Sequence, residues 1–438
     1  MKGGEFTKGP NNPVDDCVFY SRLASVREAM MTKKPTATSS RRTFIAGAAA
    51  TAGLAAASSF VPVKFAIGAK APIKVGILLP YSGTYAMLGN SITNALKLRI
   101  ETAGGMLGGR PVEYIPIDSE MSVPKAPTNT NKLVQKEKVD FLVGPVHSGI
   151  AQAMAKIVGG SEGPIMVVPN AGSNLVTGPL CAPNIFRTSF SNWQPSYPGG
   201  KLMADDGHKT AVTITWKYAA GKQMMAAGKD SFEKAGGKVI KVIEVPFPDV
   251  EFQAHLSEIA SLKPDAVFSF FSGGGAIKFV KDYAAAGLKD NIALYGPGFL
   301  TEGVSGAQGA AAEGIKTTLH YSTDLDNAAN KKFRTDYVKA YGAKPGPNVF
   351  SVQGYDTGSL LLQAAAVVGG DISATSDVIA AMETATFADS PRGFWKMSKA
   401  HNPIQDIYLR VVKGGEHHTL GVASKALEDP ASGCRMMS

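Results

Sequence analysis

From residue 73 onward, short β-branched and aromatic runs alternate with longer stretches whose apolar residues return every three or four positions. The runs at Ile73–Leu79, 112–117, Phe141–Val143 and Ile165–Val168 read as strands, and 91–102, 125–136 and 149–158 as amphipathic helices between them. Strand and helix in strict turn predict a parallel sheet with crossover helices. After 185–187 the segment Ser191-Asn192-Trp193-Gln194-Pro195 interrupts the rhythm. It restarts with strands at 210–216, 239–245, 266–271 and 292–295 and helices at 221–235, 252–262 and 276–286, which predicts a second sheet. The length from residue 73 onward also exceeds what one core usually supports, so two α/β lobes are expected. Beyond 315–320 the pattern turns helical at 327–341, 350–368 and 376–384. Two strand-like runs follow at 393–397 and 405–412, and the tail from Ala423 reads as irregular.

Within the stretch 141–173, each of the two strands ends in a polar turn containing glycine. The first turn, 144–149, places Ser148 as an N-cap, with the free N–H groups of the next helix facing the turn. That arrangement suits an anion. The second turn, Asn170-Ala171-Gly172-Ser173, leaves the carboxyl end of a neighbouring parallel strand, where open α/β sheets bind ligands. Two such turns side by side suit a carboxylate.

Charge and cysteine content change the picture only through the N-terminal segment. Residues 1–71 carry ten Lys and Arg against four Asp and Glu, so they account for +6 of the formal +9 and leave +3 elsewhere. Nucleic-acid binding loses its main support. Ser39-Ser40-Arg41-Arg42-Thr43-Phe44-Ile45, followed by an uncharged Ala/Gly-rich run through Pro62, has the form of a twin-arginine export signal. That run is too short and too poor in Leu and Ile to read as a membrane span. Cleavage after Ala57 or Gly68 fits the small-residue pattern, and both remain open. Of three cysteines, Cys17 falls in the leader, leaving Cys181 and Cys434 in a chain bound for an oxidising compartment. They either form a disulfide or stand as two unpaired thiols, and spacing alone leaves both readings open.

Several motifs imitate other chemistry. Gly159-Gly160-Ser161-Glu162-Gly163 fits the spacing of a hydrolase elbow, but it runs from helix to strand, the wrong order for a nucleophile, and reads as a helix stop. Gly273-Gly274-Gly275 opens a helix after a strand, yet nothing completes a phosphate loop, so close backbone approach is the expectation. His417-His418 would face opposite sides of a strand with no third ligand, which predicts exposed histidines and no metal site. The run 132–138 reads as a solvated helix face.

The ordered set IKVGILLPYSGTYAMLGNSITNALKL, FLVGPVHSG, VVPNAGS, KPDAVFSFFSGGGAIKFVKDYAAAGL and YGPGF, behind an export signal, resembles the leucine/isoleucine/valine-binding family of ABC-importer solute receptors. That resemblance spans residues 73–412. It implies a type I periplasmic binding fold: two Rossmann-like lobes with parallel sheets joined by a three-segment hinge. The implied organisation is a leader at 1–71, a first lobe at 72–192 and 320–388, a second lobe at 193–319 and 389–422, and a tail at 423–438. It also implies a periplasmic monomer without cofactor or catalysis, which hands a small carboxylate to a permease driven by ATPase subunits. Carried over by position, the carboxylate turn falls on His147, Ser148 and Gly149, the second contact loop on Ala171, Gly172 and Ser173, and the ring-stacking position on Tyr85. Amino-acid receptors of this family place an acid after a Gly-Pro step and a tyrosine before Gly221; here those positions hold Gly298 and Ala220. A ligand ammonium would lack a partner, at a cost of roughly several kcal/mol in a closed cleft. The remaining wall, expected from Tyr85, Trp193, Tyr218, Phe271 and Phe299, favours a flat aromatic acid such as a benzoate over an amino acid.

Overall fold

The structure, a computed structural model, describes residues 70–160 and 163–437. The twin-arginine segment, both candidate cleavage points, Cys17 and Ser161 lie outside the described residues. The first lobe is built from β1 (Ile73–Leu79), α1 (Ala86–Thr102), β2 (Met106–Leu107), β3 (Arg110–Asp118), α2 (Ala126–Asn131), β4 (Phe141–Val143), α3 (Ser148–Val158), β5 (Ile165–Val168) and β6 (Ile185–Arg187). Its sheet runs β2-β3-β1-β4-β5-β6, parallel apart from the β2–β3 hairpin. Strands β1, β4 and β5 are buried on both faces, which is why they read as unbroken apolar runs rather than alternating ones.

The second lobe follows as α4 (Tyr197–Asp205), β7 (Thr210–Trp216), α5 (Ala219–Lys234), β8 (Lys238–Val245), α6 (Gln253–Leu262), β9 (Ala266–Phe270), α7 (Gly273–Ala285), β10 (Ala293–Pro297), α8 (Ser305–Gln308) and β11 (Lys316–Leu319). The chain then returns through α9 (Ala328–Tyr341), α10 (Val349–Val367) and α11 (Thr375–Glu383), with α10 packed along α1. It crosses back to the second sheet as β12 (Thr386–Phe387), β13 (Trp395–Met397), β14 (Pro403–Lys413) and β15 (Glu416–Leu427). The second sheet is ordered β12-β13-β14-β11-β10-β9-β7-β8, with β15 on β14. Two details depart from the sequence reading. β12 pairs in the second sheet although it falls inside the stretch assigned to the first lobe, and β15 continues to Leu427 where an irregular tail was expected from Ala423. β15 shows almost no apolar alternation because most of its residues are exposed and its pairing with β14 slips at three places. A disulfide joins Cys181, in the loop between β5 and β6, to Cys434 in the tail.

Three segments connect the lobes: after β6, after β11, and between α11 and β13. Their backbone is buried without a continuous ladder, so side chains satisfy it. Arg392, in the third segment, donates to the carbonyls of Thr188 and Ser189 in the first, at 2.8 and 3.1 Å. Its Nε lies 3.0 Å from Asp356 Oδ2 on α10, with both side chains out of solvent. Gln194 donates to the carbonyls of Pro403 and Leu427, each at 2.8 Å. Arg410 on β14 donates to Glu302 at 2.6 Å and to the carbonyl of Tyr321 in the second crossing segment at 2.9 Å.

Removing one member of a buried pair leaves the other charged and unpaired, which costs about 3–5 kcal/mol. Arg392→Met is therefore expected to lower stability by about that amount, read from the unfolding midpoint. Arg392→Met combined with Asp356→Leu is expected to recover part of the loss, while an additive double variant would count against the coupling.

Candidate ligand-binding cleft

The carboxyl ends of the parallel strands of both sheets point into one cavity. From the first lobe come Tyr85 after β1, Val146 and Ser148 after β4, and Asn170 and Gly172 after β5. From the second come Tyr218 after β7, Phe270 and Ser272 at the end of β9, and Phe299 after β10. Leu88, Phe190, Asn192, Ala220, Met224 and Phe350 complete the wall.

The lobes meet across this space. Tyr85 Oη and Tyr218 Oη lie 3.1 Å apart, and the His147 ring stacks on Tyr218 with centroids 4.6 Å apart. Phe247 packs against Tyr85, His147 and Tyr218. At the start of α7, Gly273 has φ +58° and approaches the first lobe so closely that a Cβ would sit 2.4 Å from the carbonyl oxygen of Thr84. Glycine is required there for both reasons. His147 caps α3, its Nδ1 accepting the Gly149 N–H at 3.1 Å. Burial pushes the His147 pKa down to about 4, so the ring is neutral.

Of the residues singled out from sequence, Tyr85, Ser148, Gly172, Tyr218 and Phe299 line the cavity. His147 and Gly149 shape the turn behind Ser148. Ala171 is buried, with its N–H on the carbonyl of Pro145. Ser173 faces the first-lobe interior, where its hydroxyl accepts from Gln152 at 2.9 Å and its carbonyl from Arg187 at 2.6 Å. Trp193 is half-buried against Tyr197. Phe271 packs on Trp216, Phe252 and Phe279 in the second-lobe core, and its neighbour Phe270 reaches the cavity instead. Both sides of β9 are buried, so the sequence held no alternation from which to choose between them. Asn170 stood in a stretch already marked as a turn and Asn192 in the segment that interrupts the rhythm, whereas Phe350 and Met224 sit on helices with no local signal.

Among the described residues no acidic side chain lines the cavity. Asp249 and Glu251 are exposed, Glu302 is paired with Arg410, and Asp356 with Arg392. Among the described residues no cluster of His, Cys, Asp or Glu is placed to hold a metal ion. His418 is exposed, but His417 is buried and bonds to Thr301 Oγ1 at 2.8 Å. The expectation of two exposed histidines fails for His417, the one buried residue of β15, whose ring lies against Thr301 and Glu302.

Two Rossmann-like lobes closing on an apolar pocket at their strand ends define a ligand-enclosing receptor. The model of the periplasmic binding protein family matches residues 72–416, and the chain belongs to that family. Membership carries a periplasmic location and a solute-binding rather than enzymatic role. Leu/Ile/Val-binding protein homolog 6 of Brucella melitensis is 31% identical over 354 residues, covering 79% of this chain and 89% of its own. An ABC-transporter solute-binding protein from R. palustris, solved in complex with benzoate, is 54% identical with a TM-score of 0.80, covering 83% of this chain and 99% of its own. Another, from Rhodopseudomonas palustris BisB5 with 3,4-dihydroxybenzoic acid, is 31% identical with a TM-score of 0.76, covering 82% and 99%.

The buried histidines set a pH dependence. Burial pushes His147 and His417 down to about 4, and His320 well below its usual value. Below the unfolded value of about 6.5 the unfolded chain binds protons that the folded chain refuses, so stability falls as pH drops toward about 4. Each histidine contributes up to about 1.4 kcal/mol per pH unit, and Asp356, pushed up to about 6 by burial, offsets one of the three. Melting temperatures at pH 7.5, 6 and 5 are expected to decline steadily; an unchanged value at pH 5 would contradict these protonation states.

Proposed function

We propose that the chain is the substrate-binding component of an ABC importer for small aromatic carboxylates, exported by the twin-arginine route and delivering its ligand to a permease with ATPase subunits. The observation that carries this reading is the composition of the cavity wall: aromatic and aliphatic faces, hydroxyl and amide groups, and no acid to pair an ammonium. A ring lies between Tyr85, Phe270, Phe299 and Phe350, where area burial and edge or face contacts reward flat ligands. The carboxylate lies at the start of α3. Ser148 Oγ already accepts from Asn192 Nδ2 at 3.3 Å, which leaves its own proton for a ligand oxygen. The N–H groups of the first helical turn other than that of Gly149, which His147 Nδ1 already takes, have no intrahelical partner and add to the attraction. Gly172, Tyr218 and Ser272 complete the site, and hinge closure over the ligand is a population shift between open and closed lobes. The 54% identical relative solved with benzoate supports this ligand class.

A receptor for branched-chain or other hydrophobic amino acids is the second reading, favoured by the names of the Brucella relatives. The same wall argues against it, since Asp249 and Glu251 are exposed and Glu302 and Asp356 already hold arginines.

Calorimetry is expected to show benzoate binding at micromolar affinity or tighter and leucine at least about a hundredfold more weakly, a gap of roughly 2.7 kcal/mol. Ser148→Ala is expected to weaken benzoate by about tenfold or more, the worth of a hydrogen bond to a charged group. Tight leucine binding without response to any aromatic acid would overturn the ligand class and leave the family assignment intact.

A further inference from the structure

Two buried polar atoms in the cavity wall have no partner: Asn192 Oδ1 and Ser272 Oγ. Their chemistry differs, because a hydroxyl both donates and accepts whereas an amide oxygen only accepts. The orientation of the Asn192 amide is fixed by a chain of bonds ending on the backbone. The Asn174 N–H donates at 3.0 Å to a side-chain atom of Gln223. A backbone N–H cannot reverse its role, so that atom is Oε1. The Asn192 atom 2.8 Å from the same oxygen is then its amide nitrogen, which also donates to Ser148 Oγ at 3.3 Å. What remains is Oδ1, an unpaired acceptor on a fully buried residue of the cavity wall, set against Gly172 of the same wall.

An unsubstituted benzoate offers oxygens only. Its carboxylate can accept from Ser148 and Ser272, but nothing on it donates to Asn192. A buried acceptor left unpaired after desolvation is the situation in which polar sites discriminate strongly between ligands with and without the matching group. Resting on the aromatic-acid reading above, we propose that the preferred ligand is a ring-hydroxylated aromatic acid, with Asn192 accepting from the phenolic hydroxyl. Gln223 is the positioning residue that holds the amide in its accepting orientation.

Calorimetry at pH 7 with benzoate and the 2-, 3- and 4-hydroxybenzoates tests this. In the wild-type protein the best hydroxybenzoate is expected to bind at least about tenfold more tightly than benzoate. In Asn192→Ala that ratio is expected to fall below about threefold. In Gln223→Ala the amide is released to turn its nitrogen toward the ligand, so the ratio also falls and benzoate itself gains. A merely structural role for either residue would weaken all ligands by one factor and leave the ratio unchanged, which would overturn the proposal. Equal affinities for benzoate and every hydroxybenzoate in the wild type would overturn it too, whether or not benzoate takes up a proton to supply the donor. Failure of every aromatic acid to bind would overturn both this inference and the ligand class beneath it, whereas tight benzoate binding without preference would overturn this inference alone.

Discussion

The Arg392 guanidinium, wedged between Asp356 and the carbonyls of Thr188 and Ser189, is the interaction on which the two-lobed arrangement depends. A hinge that must bend cannot be a sheet, because a continuous ladder would lock the crossing segments. It also cannot leave its carbonyls bare inside the protein, where each unpaired group costs about 1–3 kcal/mol. Side-chain donors resolve the conflict: a guanidinium holds two carbonyls on a neighbouring segment without imposing strand geometry. The charge this requires is itself expensive. Burial pushes Asp356 up to about 6 and Arg392 down to about 10, so desolvation outweighs their mutual attraction in both partners. The pair therefore adds little net stability, and its worth lies in the one register of crossing segments that satisfies every group it touches.

A second buried pair works in the same way at the other edge of the hinge. Arg410 links Glu302 to the carbonyl of Tyr321, and the other oxygen of Glu302 accepts the Val349 N–H at the start of α10. This chain of contacts runs from the second sheet to a first-lobe helix whose residue Phe350 faces the cavity. Glu302 is thereby committed to structure, and the pocket keeps its apolar, acid-free wall. The acid-free cavity wall and the hinge construction thus rest on the same residues.

Most of the fold was legible because strands buried on both faces read as unbroken apolar runs, and the turns at their ends carry the glycines and hydroxyls that the topology needs. The first-lobe half of the cavity was legible for the same reason, since Ser148 and Gly172 follow directly from strand ends, while Tyr85 came from the family resemblance. Legibility failed where a choice depended on direction within a fully buried element, as with Phe270 against Phe271, or Ser173 against Asn170. It failed again for Arg392 and Arg410, whose partners lie far away in sequence and whose burial no local pattern announces. β15 escaped at its end because an exposed edge strand has no alternation to show.

Closure needs a balance that the cleft contacts supply. The closed state has attractions of its own, the Tyr85–Tyr218 hydroxyl bond and the stack of His147 on Tyr218. Each is worth about 0.5–1.5 kcal/mol. Were they much stronger, the empty receptor would close and exclude its ligand, because affinity falls with the fraction of binding-competent molecules. A charged His147 facing Tyr218 or a cleft acid would risk that outcome, and burial keeps the ring neutral instead. The unpaired Asn192 Oδ1 and Ser272 Oγ push the other way, since closing over an empty pocket desolvates both without return. The ligand that satisfies them removes that penalty only in the closed state, so the groups that select the ligand are also the groups that couple its binding to closure.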